Sequence, residues 1–129
     1  MITLAVRKFI RDTGLDALLD LDGQIYVLDH AGKRWVKFIV KRVEPSSERP
    51  HGLNYSLTLH GADGERLVGF DNAHPVRAIR GPGSKRRQQY DHKHRLRTVR
   101  PYEYQNAAAL IVAFWAEVDA VLQEKGVLP

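Results

Sequence analysis

The chain has 129 residues, 43% hydrophobic and 27% charged, with no cysteine and a net charge of +5. That length and balance fit one domain with a single sizeable core and exclude an intrinsically disordered chain. The missing cysteine excludes disulfides, thiolate catalysis and cysteine-based zinc sites. The longest apolar run, "AAALIVAFWA" at 107–116, is too short to span a membrane. The opening "MITLAVRKFIRDTG" turns polar too early for a secretory signal, so a soluble cytoplasmic protein without membrane contact is expected.

Residues 2–12 suggest a short amphipathic helix with Leu4, Phe9 and Ile10 inward, limited by Gly14 and the acids after it. "QIYVLD" (24–29), the turn signal "HAGK" and "RWVKFIVKRV" (34–43) read as a first hairpin. In its second run Val36, Phe38 and Val40 share one face, opposite Lys37 and Lys41. "EPSSERPHG" (44–52), with two prolines and no apolar period, is a loop. "NYSLTLH" (54–60) alternates, Tyr55, Leu57 and Leu59 inward, and returns through "GADG" to "ERLVGFD" (65–71) as a second hairpin.

Residues 72–96 break all periodicity and are expected to form a long basic loop. "RTVRPYEY" (97–104) brings the chain back as a short strand, with Pro101 demanding an edge position. A closing helix is predicted over 106–125, with Leu110, Ile111, Phe114, Val118, Val121 and Leu122 on one face, Asn106 as N-cap and Gly126 as stop. The expected fold is α+β: a mostly antiparallel sheet of two hairpins and a short edge strand, packed by the C-terminal helix. Residues 1–129 form one domain, with 1–22 as an N-terminal addition to the hairpin core.

The positive charge is concentrated. Residues 77–100 hold nine Lys/Arg against one acid, Asp91, and the rest of the chain is net negative. Such a segment suits a phosphate-bearing partner, and equally a solvated loop or the dock of an acidic protein.

Within and beside it stand "FDNAH" (70–74) and "YDHKHRLR" (90–97). Residues two apart on an extended segment point the same way, so His92 and His94 present both rings to one target. Three readings follow. In the first, metal-free acid–base chemistry on RNA uses Asp71, His74, His92 and His94, because imidazole titrates near neutrality. Lys85, Arg86, Arg87, Arg95 and Arg97 would then bind the phosphates, and Tyr90, Tyr102 and Tyr104 would stack on unpaired bases. No cofactor or metal is called for. In the second, His-x-His with His74 and Asp71 forms a metal site, opposed by the nearby bases. In the third, Asp71 and Asn72 satisfy turn backbone at a strand end, and Asp91 pairs with a neighbouring Arg. Trp35 and Trp115 read as packing, and no partner suggests itself for His30, His51 or His60.

"RVEPSSERPHGLNYSLTLH", "GFDNAH", "YDHKHR", "RPYEY" and "FWAEVD" together resemble the TumE-type toxins of toxin–antitoxin modules, over about residues 24–124. Between the two polar motifs the chain is lengthened by "PVRAIRGPGSKRRQQ". The resemblance implies a growth-inhibiting toxin with a cognate antitoxin, often a helix-turn-helix protein. It marks Asp71, Asn72, His74, His92, His94 and Arg95 as the functional set. The leading expectation is a toxin that acts on RNA as a metal-independent endoribonuclease. The alternatives are a non-catalytic nucleic-acid- or protein-binding module and a metal-dependent hydrolase; self-association is left open.

Overall fold

The structure is a computed structural model, and it describes residues 12–72, 76–77, 88–89, 91–96 and 98–127. The predicted helix at 2–12 lies outside these residues, apart from Asp12, as do His74, Lys85, Arg86, Arg87, Tyr90 and Arg97.

The chain enters through a short helix, α1 (Leu15–Asp20), that periodicity over six residues did not announce. Two hairpins follow as predicted. Strands β1 (Ile25–Val27) and β2 (Trp35–Arg42) form the first, β3 (Leu53–His60) and β4 (Arg66–Asp71) the second. A separate two-stranded piece pairs β5 (Val76–Arg77) with β6 (Gln88–Gln89). Then come β7 (His92–Arg95), β8 (Thr98–Pro101) and the long helix α2 (Ala107–Glu124).

The main sheet has six strands in the order β1-β2-β3-β4-β7-β8, every neighbouring pair antiparallel. This corrects one expectation: the stretch expected as loop through residue 96 contains a sheet strand. "HKHR" has no apolar residue, so no pattern announces it. Its pairing is supplied by the free edge of β4. β8 then lies at the sheet edge, where Pro101 removes no ladder donor.

Alternation sorts the faces. Val36, Phe38 and Val40 lie opposite Leu59, Leu57 and Tyr55, and Leu57 lies opposite Phe70. All are buried, and α2 covers them with Leu110, Phe114, Val118, Val121 and Leu122. Phe114 meets Phe38 edge-on with ring centroids 5.5 Å apart, and Phe70 at 6.1 Å. Trp115 packs against this core, and Leu18 of α1 is fully buried within it.

The ends of α2 are capped twice over. The Asn106 side chain accepts from Ala109 N–H at 2.8 Å, as predicted, and the Asp12 carboxylate accepts from Ala107 N–H at 2.7 Å. At the other end Gly126, at φ 75°, lets Val127 N–H reach Leu122 C=O and its own N–H reach Gln123 C=O. This is the Schellman arrangement, and it explains a glycine at that position.

Candidate functional site

β4 ends at Asp71, and β7 lies beside it in a register that sets Asp71 against His92 and Gly69 against His94. These residues therefore share the sheet face that α2 does not cover. The site is assembled by strand pairing alone.

His92 Nε2 stands 3.0 Å from Asp71 Oδ1, and His94 Nε2 stands 3.6 Å from Asp71 Oδ2. The two imidazoles meet edge-to-face at 4.7 Å. Of the side chains, 3% of His92, 11% of Asp71 and 14% of His94 are open to solvent. His94 is thus the ring of the pair that a large ligand can reach. Burial holds its pKa below the usual histidine value, and the charges of Arg66 and His92 push it the same way against Asp71. At neutral pH it is an uncharged ring able to accept a proton.

Asn72, the next residue, is fully buried. Its side-chain oxygen accepts from Tyr55 N–H at 2.9 Å, its side-chain nitrogen donates to Leu53 C=O at 2.8 Å, and its own N–H donates to Tyr55 C=O at 3.3 Å. It continues the β3–β4 ladder by one residue with a side chain standing in for backbone. The role is structural, as weighed from the sequence, but the backbone it serves is that of β3 rather than of a turn.

Asp91 behaves differently from expectation. Among the described residues it takes no arginine. It accepts a 2.7 Å hydrogen bond from the Tyr55 hydroxyl, and His51 Nε2 lies 3.8 Å from its other oxygen. Burial and the adjacent Asp91 carboxylate raise the Tyr55 pKa, so Tyr55 stays a donor. His51 stacks on Tyr104 at 4.0 Å, and the Tyr104 hydroxyl donates to Asp12 at 2.8 Å. Sequence reasoning missed this cluster because its members are 36 or more positions apart or sit in loops. His60 also has partners: it stacks on Trp35 at 4.1 Å, and its ring nitrogens lie 2.9 Å from Thr58 Oγ1 and 3.2 Å from Gly64 C=O.

A family model described as Toxin TumE matches residues 9–122 of the chain. The chain belongs to the TumE toxin family. No curated protein and no solved structure matches it. Membership makes it a toxin and implies a cognate antitoxin. The matched span includes α1 and both halves of the Asp71–His92–His94 cluster.

Of the set singled out in this TumE-family chain, the structure brings Asp71, His92 and His94 together. It sends Arg95 to the opposite face, where its guanidinium pairs with Glu117 and Glu124 of α2; Lys93 pairs with Glu117 at 3.5 Å. Tyr102 packs edge-on against Phe70 at 5.0 Å, so it is core-directed rather than a free stacking platform. Arg66, which sequence reasoning did not select, lies beside His94. A cleft of about 600 Å³ lies on the α2 side of β7 and β8. Its charges are mixed, Lys93, Arg95 and Arg100 against Glu117 and Glu124. No helix among the described residues is long and apolar enough to cross a membrane.

Proposed function

We propose that this toxin acts on RNA as a metal-independent endoribonuclease with His94 at the centre of its chemistry. The supporting observation is the His94–Asp71–His92 cluster: a partly open, uncharged imidazole beside a carboxylate that a buried second imidazole holds in place. His94 takes the proton of a ribose 2′-hydroxyl as that oxygen attacks the adjacent phosphorus. The bond to the 5′-oxygen breaks, that oxygen is protonated, and a 2′,3′-cyclic phosphate and a 5′-hydroxyl result. His74 of the sequence reading, outside the described residues, is the proposed proton donor. Asp71 and His92 orient His94 rather than touch the substrate. The basic segment, through Lys85, Arg86 and Arg87, supplies the long-range attraction to a polyanion. Action on RNA fits the cytoplasm, and the resemblance supports a helix-turn-helix antitoxin.

Purified protein incubated with RNA in EDTA is expected to yield cyclic-phosphate ends. His94→Ala should lower the rate roughly 10²–10⁴-fold, the range for a lost general base. Intact RNA alongside undiminished growth inhibition would sink the reading. So would undiminished growth inhibition by a His92→Ala, His94→Ala double variant, which would leave a non-catalytic binding module.

One observation favours a second reading. The ligand atoms of Asp71, His92 and His94 lie within 4.8 Å of one another. The 3.0 Å between His92 Nε2 and Asp71 Oδ1 is the separation of two ligands at roughly 2.1 Å from one ion at a right angle. Two histidines and a carboxylate with open positions would suit a metal-dependent hydrolase. Activity lost in EDTA and restored by a divalent cation would select this reading over the first.

A further inference from the structure

We propose that Arg66 is the anion-binding group of the site, gripping a phosphodiester oxygen of the RNA beside His94. This deepens the RNA reading and rests on it for the identity of the ligand. Gly69 carries the argument. It stands opposite His94 in the β4–β7 register, on the site face, where any other residue would raise a side chain. A Cβ there would come within 3.1 Å of Arg66 Cδ, 3.5 Å of Arg66 Nε and 3.6 Å of His94 Cδ2. The arginine arm therefore crosses the strand through the space the glycine leaves open, toward the His94 ring.

Four other cations near the sheet are engaged. Arg34 pairs with Asp29, Lys41 with Asp22, Lys93 with Glu117, and Arg95 with Glu117 and Glu124. Lys37, Arg42 and Arg100 form no ion pair among the described residues, and of the unpaired cations only Arg66 contacts the space over Gly69 beside His94. Arg66 is exposed and, among the described residues, has no carboxylate within ion-pair distance. Its positive charge is felt at His94, one of the causes of that ring's depressed pKa. An exposed, planar, five-donor cation reaching past Gly69 toward the His94 ring can match its fork to an anion that presents two oxygens. A phosphodiester offers both. The task assigned to Arg95 by the sequence therefore falls to Arg66, because Arg95 is turned to the helix and neutralised there.

Two measurements separate this inference from the RNA reading. In the first, inorganic phosphate is titrated into protein with isotope-labelled histidine, and the His94 ring signals are followed. Wild type should show a saturable shift. Arg66→Gln should weaken the apparent affinity at least tenfold, while Arg42→Gln, the same charge removed on the helix-side face, should leave it within twofold. Gly69→Ala should weaken it too, by displacing the arm. The absence of a shift in wild type, or an unchanged affinity in Arg66→Gln, overturns the proposal whether or not RNA is cleaved. In the second, Arg66→Gln should slow RNA cleavage roughly 10²–10³-fold, the range for removing one oxyanion-stabilising donor. Arg66→Lys should recover only part. Cleavage at the wild-type rate in Arg66→Gln overturns the assignment while leaving the endoribonuclease reading standing.

Discussion

Asn72→Ala is expected to destabilise the fold by roughly 2–4 kcal/mol, although it deletes only a small polar side chain. The side chain is fully buried and closes two backbone hydrogen bonds, from Tyr55 N–H and to Leu53 C=O. Truncation leaves both groups facing apolar surroundings, and each buried group so orphaned costs roughly 1–3 kcal/mol. Carbonyls tolerate this better than N–H groups, which keeps the sum below the upper limit. Urea unfolding should show a lower midpoint with an unchanged slope. Asn72→Asp is the sharper comparison. It keeps an acceptor for Tyr55 N–H but turns a carboxylate toward the Leu53 carbonyl, so it should be at least as damaging. A wild-type midpoint in either variant would show that Asn72 does not hold this strand end.

Phe114→Ala is expected to be as severe or worse, about 3–5 kcal/mol, the range for a fully buried aromatic truncated in a core. Phe114 is 0% exposed and stands edge-on to Phe38 of β2 and Phe70 of β4. It is therefore the contact through which the helix grips two strands. Val112, on the opposite side of the same helix, is 69% exposed, and Val112→Ala should stay within about 0.5 kcal/mol. Thermal unfolding of the pair gives the contrast directly. Similar losses in both would mean that α2 is not seated as described.

The parts of the fold that could be read from the sequence are those where one side faces oil and the other water. Tyr55, Leu57 and Leu59 alternate because β3 buries a single face, and Leu110, Phe114, Val118 and Val121 recur because α2 does. β7 carries no such mark. His92, Lys93, His94 and Arg95 satisfy their surroundings with charge and hydrogen bonds on both faces, so composition resembles a loop while pairing makes a strand. The site was legible in part for a related reason. The two-residue spacing of His92 and His94 does place both rings on one side, and the strand-end position of Asp71 does meet them. Arg95 obeys the same alternation, which turns it to the face of α2 and its glutamates. Arg66 is 28 positions upstream, and only the fold makes it a neighbour of His94. The Tyr55–Asp91 hydrogen bond spans 36 positions and could not be inferred from local pattern.

The strand that carries the two histidines is held from behind by a different kind of bond from the strand that carries the aspartate. β4 is seated by Val68 and Phe70 in the apolar core. β7 is fastened to α2 through Lys93 and Arg95, whose partners Glu117 and Glu124 border the stripe of packing residues. Such partly exposed pairs contribute at most about 1 kcal/mol each and weaken as counterions gather within the Debye length of about 8 Å at physiological salt. The two halves of the cluster thus answer to different solvents. Ionic strength is therefore expected to slacken the tether behind β7 while leaving the seat of β4, and the strand ladder that sets Asp71 against His92, in place.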